Sequence, residues 1–398
     1  MPVYTIVSLR LQTDSVKAPM GWLGRIEAFL NERWYGKAGV LHLLHPLSWL
    51  YAAVASFRRR RAEAQIERVV ADRLPTIVVG NLVVGGTGKT PVVAELVKEL
   101  KALGAQPGIV TRGYGGSSPS WPLSVVGNTD PRLCGDEALE LAQIAGCPVV
   151  AGPDRRACVQ QLASMHGCDV AVSDDGLQHY SMQRDLEIVL VGSRRQFGNG
   201  YLLPVGPLRE PTSRIRQAQI VFLTSRSLEQ AEASKSGLQH LVGQLPSLLA
   251  CALVPSEARQ LLADKSMELS KAPFVNEPCI ALSGIGMPER FHEDLESLGC
   301  TIDPRALADH HDYAELVGSG ALSRLASQSW VVTTGKDAVK LEFQLGRTGR
   351  AQASASYDRV WVLKRRVVFS EADLSELRRV LRKFARDWQL GDKCKEVS

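Results

Sequence analysis

The chain has 398 residues, 45% of them hydrophobic, and a formal charge of +5. That length and apolar content suit about two ordinary domains and exclude a disordered or fibrous protein. So mild a positive charge argues against a nucleic-acid surface, which needs a concentrated basic face. The eight cysteines form no CxxC pair and no zinc-finger spacing, which fits reduced, mostly buried thiols in a cytoplasmic protein.

Residues 1–19 carry no clear pattern, and Met20 is a candidate start. Trp22, Ile26, Phe29, Leu30 and Trp34 then recur at helical spacing. Residues 39–57, GVLHLLHPLSWLYAAVASF, hold no formal charge and run straight into Arg58, Arg59, Arg60 and Arg61. A secretory signal has its positive charges first, so export does not fit. His42, His45 and Pro46 make a stable crossing expensive, so the expectation is an interfacial helix whose arginines meet anionic headgroups. A buried helix hairpin with a solvated charge run is the alternative.

From Arg73 the rhythm changes to short apolar strands, glycine-rich turns and helices. LPTIVVGN, PGIVTRGYGG, CPVVAG, CDVAVSDDG and DLEIVLVG read as strands, and TPVVAELVKELKALG as a helix ended by Gly104. Strands alternating with helices predict a parallel sheet of the P-loop NTPase type, covered on both faces, with ligands beyond the carboxyl ends of the strands. Residues 226–273, rich in Ser, Gln, Ala and Leu, read as a connector. CIALSGIG, SWVVTTGKD and RVWVLKRRVVF predict a smaller C-terminal α/β domain. The expected division is 1–72 for a membrane-associated helical segment, 73–244 for the P-loop core with its connector, and 245–398 for the second domain.

The segment GNLVVGGTGKTP follows the first strand and precedes the first core helix. Gly85, Gly86, Thr87 and Gly88 supply amides that can turn around an anion, Lys89 reaches the outer phosphates, and the Thr90 hydroxyl suits magnesium. Val83 stands where the strict GxxxxGK[ST] pattern has glycine, so this is a variant phosphate loop. Its order (strand, glycine turn, GKT, helix) points to ATP with Mg2+. Asp174 and Asp175 end the apolar strand CDVAVS. Neighbouring side chains at a strand end alternate, so one acid is expected to hold the metal and the other to orient a partner such as Arg155 or His179.

GNLVVGGTGKTP, TRGYGG, GDEA, SDDGLQHY, RQFGNGYLLPVGPLRE, SGIGMPERF, ADHHDY and TTGKDAVKL occur in the order found in the tetraacyldisaccharide 4'-kinases, the lipid A kinases of Gram-negative bacteria, which the chain resembles from about residue 20 to 370. The resemblance implies transfer of the ATP γ-phosphate to the 4'-hydroxyl of a lipid A disaccharide 1-phosphate, giving a lipid IVA type of product. It places the enzyme at the cytoplasmic face of the inner membrane, peripheral or N-terminally anchored, among membrane lipids and with no obligate protein partner.

It also implies that Asp136 of GDEA is the catalytic acidic residue and His310 of ADHHDY its partner; unaided, Asp136 reads more readily as a helix cap, and His310 and His311 equally as structural histidines. Arg155 resembles the family's arginine near the acceptor or γ-phosphate. Arg209 and Glu210 of GPLREP suit a phosphate clamp and a further magnesium ligand. Two departures stand out: Ala138 replaces the proline of GDEP, and Gly335 replaces the glutamate of TEKDAVKL. A membrane-bound P-loop switch, which leaves ADHHDY and FGNGYLLPVGPLRE without a task, and a non-catalytic membrane-binding module that uses nucleotide only for structure, which Lys89→Ala would leave intact, are the rival classes.

Overall fold

The computed structural model describes residues 22–66, 73–85, 88–242, 247–263, 266–307, 311–349 and 354–390. Its helices are α1 (Trp22–Trp34), α2 (His45–Ile66), α3 (Lys89–Ala102), α4 (Pro131–Cys134), α5 (Asp136–Ile144), α6 (Arg155–His166), α7 (Leu228–Val242), α8 (Pro288–Ser297), α9 (Ala314–Gly318), α10 (Ala321–Gln328), α11 (Gly335–Arg347) and α12 (Glu371–Asp387). The strands are β1 (Thr76–Gly80), β2 (Pro107–Thr111), β3 (Leu123–Val125), β4 (Val149–Ala151), β5 (Val170–Asp174), β6 (Leu186–Gly192), β7 (Ile220–Ser225), β8 (Leu248–Gln260), β9 (Ser266–Glu268), β10 (Pro278–Ser283), β11 (Thr301–Ala306), β12 (Trp330–Thr334) and β13 (Val360–Phe369).

Among the described residues the thirteen strands belong to one sheet, ordered β11-β10-β12-β13-β8-β7-β6-β1-β5-β2-β4-β3 with β9 on β8. β1 lies between β5 and β6 and is parallel to both, which brings the glycine turn after β1 beside the aspartates that end β5. Both faces of β1 are buried: Ile77 and Val79 meet α3, while Val78 packs into the opposite core with Leu82 and Leu162. Burial on both faces explains why TIVV is a continuous apolar run without alternation.

α3 buries Val92, Val93, Leu96, Val97 and Leu100, a stripe at three- and four-residue spacing. Each such side chain contributes about 1.5–3 kcal/mol. Gly104, at φ 89, ends the helix in a conformation that other residues adopt only under strain.

Strand direction reverses between β8 and β13, which pair antiparallel. The carboxyl ends of β10 and β12 therefore face back toward those of the N-terminal half, and α11, which follows β12, packs on α5. α12 returns to the first core, burying Leu377, Leu381 and Phe384 there and pairing Arg378 Nε with Glu99 at 2.7 Å. The connector expected over 226–273 is corrected: it contains α7 and the thirteen-residue β8. Its Ser and Gln residues lie on a surface helix, and β8 changes from fully to partly buried along its length, which hides any single period.

Candidate active site

The turn after β1 is stitched to the loop ending at Glu210. Val84 N–H donates to Pro207 O at 2.9 Å, Arg209 N–H to Leu82 O at 2.7 Å, and the buried Asn81 amide to Gly85 O at 3.1 Å. Gly85 and Gly88 hold φ 100 and 80, and a β-carbon on Gly88 would overlap Leu253. The positive φ thus favours glycine at 88, and a larger residue would also have to turn the Leu253 side chain aside. Gly86, Thr87 and His310 lie outside the described residues. Lys89 and Thr90 open α3 and are both partly buried.

Asp174 and Asp175 diverge, as the alternation at a strand end predicts, but their partners differ from those expected. Asp175, at φ 51, receives Lys89 Nζ at 3.4 Å and Arg209 Nη1 at 3.0 Å. Burial raises its pKa, but those two cations outweigh burial and hold it at about 2. Asp174 is 3% exposed, and its Oδ1 has no hydrogen-bond partner. Burial pushes that carboxyl up to about 7, against the pull of Lys89.

Arg155 is 2% exposed and donates from Nη2 to the backbone oxygen of Asp174 at 2.8 Å, while its Nε and Nη1 are buried without a partner. It thus braces the strand end through the carbonyl of Asp174. Asp154 caps α6 through the amides of Arg156 and Ala157, which fixes where Arg155 leaves the helix. His179 turns within the same loop, and burial followed by the charges of Arg155 and Arg112 lowers its pKa to about 4. It is a neutral imidazole at physiological pH. Glu210 is buried and already engaged by Gln178 Nε2 at 3.0 Å, by the Tyr180 hydroxyl and by Arg214 Nε at 3.6 Å. Its carboxylate braces this loop.

A second cluster forms where α5 meets α11. Asp136, 5% exposed, follows Gly135, whose φ is 83. Its Oδ2 lies 3.3 Å from Lys340 Nζ and 3.8 Å from Lys336 Nζ, and its Oδ1 accepts the Glu137 amide at 3.0 Å. Glu137 is near enough to both clusters for its charge to act on Asp174 while it pairs with Lys336 at 3.8 Å. Beside them Tyr313 is fully buried and meets the His311 ring edge-on at 5.0 Å. Lys340 escaped the reading of the sequence. Its signal was there: on the helix of TTGKDAVKL it stands one turn after Lys336 and shares its face.

The N-terminal helices dock against this centre. The Tyr35 hydroxyl reaches Val84 O at 3.3 Å, Ser48 Oγ donates to Leu202 O at 3.1 Å, and the Tyr51 hydroxyl to Arg209 O at 2.9 Å. The far side of α2 and the turn before it expose Val40, Leu43, Leu47, Trp49, Leu50, Val54 and Phe57.

A glycine turn and a lysine after one parallel strand, acids at the end of the next, and a glutamate of α5 whose charge reaches them make this an enzyme of the P-loop phosphotransferase class. A family profile described as tetraacyldisaccharide-1-P 4'-kinase matches residues 40–384. The chain belongs to the tetraacyldisaccharide 4'-kinase family. The enzyme of that name from Alkalilimnicola ehrlichii is 43% identical over 301 residues, 75% of this chain and 83% of its own. The one from Hahella chejuensis is 36% identical over 362 residues, 88% of this chain and 98% of its own. Among solved structures, the "apo" form of LpxK from Aquifex aeolicus in complex with ATP is similar, with a TM-score of 0.67 and 26% identity, covering 86% of this chain and 99% of that one.

Proposed function

We propose that Lys89, Thr90, Asp174, Arg155 and Arg209 form the phosphate-handling half of the reaction centre, and Asp136 the proton-accepting half, with which this tetraacyldisaccharide 4'-kinase moves the γ-phosphate of ATP to the 4'-hydroxyl of a tetraacyldisaccharide 1-phosphate. The observation that carries the reading is the buried Asp174 Oδ1 left without a partner beside the phosphate loop. A buried carboxylate oxygen with nothing to accept is costly unless a ligand completes it.

The donors at that place are hard oxygens, the Asp174 carboxylate and the Thr90 hydroxyl, and they suit magnesium. When bound, magnesium neutralises charge on the outer phosphates. Lys89 and Arg209, which share Asp175 in this structure, are the cations that a triphosphate recruits, and the idle Nε and Nη1 of Arg155 offer two further donors. Asp136 takes the proton of the acceptor hydroxyl as its oxygen bonds to the γ-phosphorus and the bridging bond to the β-phosphate breaks. His310 is the expected partner of Asp136. Glu210 acts through Tyr180 and Arg214, keeping Arg209 aimed at Asp175.

The acceptor is a lipid, and the exposed apolar side of α2 supports a position on the cytoplasmic face of the inner membrane. Residues 39–64 have a mean hydropathy of 1.3 over their most apolar window, with 11% of it buried. Hydrogen bonds from Ser48, Tyr51 and Arg59, the last to Gln217 at 2.6 Å, tie α2 along the body of the enzyme, which favours a helix lying in the interface. The test is phosphate transfer from labelled ATP to the lipid disaccharide by the wild type and by Lys89→Ala; transfer that survives in the variant contradicts the site.

A further inference from the structure

We propose that Lys340 is a positioning residue for phosphoryl transfer, a buried cation that reaches from α11 to hold the Asp136 carboxylate in its charge state and rotamer. The inference rests on the reading of Asp136 as the proton acceptor.

Lys340 is 5% exposed, and lysine is seldom buried unless it is paired. Its Nζ lies 3.3 Å from Asp136 Oδ2, 3.6 Å from Asp337 Oδ1 and 5.4 Å from the centre of the Tyr313 ring. Nζ nonetheless makes no well-directed hydrogen bond. Charge and ring faces hold it, so its effect on Asp136 is chiefly coulombic. Asp337 is not free to follow: its Oδ2 accepts the Gly284 amide at 3.1 Å and the Thr334 hydroxyl at 2.7 Å. Lys340 is therefore anchored at Asp337 and points its charge at Asp136.

Lys336, one turn earlier, lies 3.8 Å from both Asp136 and Glu137 and is more exposed than Lys340. Water screens the exposed cation more than the buried one. Among the described residues, the titratable or charged groups gathered around Asp136 include Glu137 and Glu140 on α5, the Cys134 thiol before it, Lys336, Asp337 and Lys340 on α11, and the Tyr313 ring. Taking away Lys340 removes the nearer of the two lysines beside Asp136 while the Glu137 and Asp337 carboxylates stay. With less positive charge beside it, Asp136 then binds a proton at a higher pH and is lost as a base sooner as pH falls.

The experiment uses the full-length enzyme in detergent micelles, with kcat and KM for ATP measured across pH for the wild type, Lys340→Met, Lys340→Gln, Asp136→Asn and the double variant Asp136→Asn/Lys340→Met. The expected result is a fall of about 10- to 100-fold in kcat for either neutral variant with KM for ATP little changed, and an acid limb of the profile moved up by about one pH unit. In the Asp136→Asn background the Lys340 change should cost nothing more, since its target is gone. If Lys340→Met fails to fold, Lys340→Gln, which keeps an uncharged polar head on a side chain one bond shorter, decides. An acid limb that stays in place, or losses that multiply in the double variant, overturns the proposal. Wild-type kcat in Asp136→Asn instead overturns the reading of Asp136 itself.

Discussion

Asp174 and Asp175 are joined by one peptide bond and live in opposite electrostatic worlds: Asp175 is clamped between Lys89 and Arg209, while the Asp174 carboxyl is sealed from water with one oxygen unpaired. Burial raises the pKa of Asp174 to about 7 from its usual 3.8. A carboxyl raised in this way stabilises the fold below its unfolded value, and that stability drains as pH rises through the folded value. Asp174→Asn should therefore raise Tm at pH 8, with little change at pH 4, while abolishing transfer. A variant less stable than the wild type at pH 8 contradicts the isolated-carboxylate account.

The same raised pKa predicts a magnesium dependence. Below about pH 7 Asp174 holds a proton that a cation must displace. The magnesium concentration giving half-maximal rate should rise as pH falls from 8 to 6. A requirement independent of pH would place the ion elsewhere.

Lys89→Ala removes the ammonium nearest Asp175 and leaves the Arg209 pair intact. Turnover is expected to drop by about 10²- to 10³-fold or more, the cost of losing one preorganised charge at a transition state. Melting should barely change. Near-normal kcat, read by lipid phosphorylation, would remove this turn from the chemistry.

The phosphate loop and the Asp174–Asp175 strand end were legible in the sequence because both combine a buried apolar strand with residue types that a simple turn does not need. The partners of Asp175 were not. Arg209 arrives from a loop 34 residues away, carried in by the backbone bond from its own amide to Leu82 O, and nothing local to SDDG announces it. β8 was missed for another reason: Pro255 and the bulge at Ser256, opposite Lys364 and Arg365 of β13, break the alternation that marks a strand. The helical spacing of Lys340 from Lys336 was legible, but its partner Asp136 came within reach only when α11 packed on α5.

Gly335, where the family motif has glutamate, makes room for Glu140: a β-carbon there would lie 2.7 Å from the Glu140 carboxylate. That carboxyl is pushed up to about 8, first by burial and then by the charge of Glu137. Gly335→Glu should destabilise the enzyme by about 1–3 kcal/mol through overpacking against the Glu140 side chain. Glu140→Ala should restore much of the loss in the double variant, read as Tm. Purely additive melting shifts would show that the two positions do not compete for one space.

Trp49 and Phe57 on α2 are exposed, so replacing both with Asp should leave Tm nearly unchanged. Binding to vesicles containing anionic lipid should fall by about 10²-fold or more, since each apolar side chain withdrawn from the interface forfeits about 1.5–3 kcal/mol. Unaltered sedimentation with vesicles would move the membrane contact to another surface.

The most direct test of the account is the fate of labelled γ-phosphate when the purified enzyme, ATP, magnesium and a tetraacyldisaccharide 1-phosphate are combined. Label should appear on the 4'-position of the lipid with the wild type and vanish with Asp174→Asn. Label released only as inorganic phosphate, or lipid phosphorylation undiminished in that variant, would contradict it.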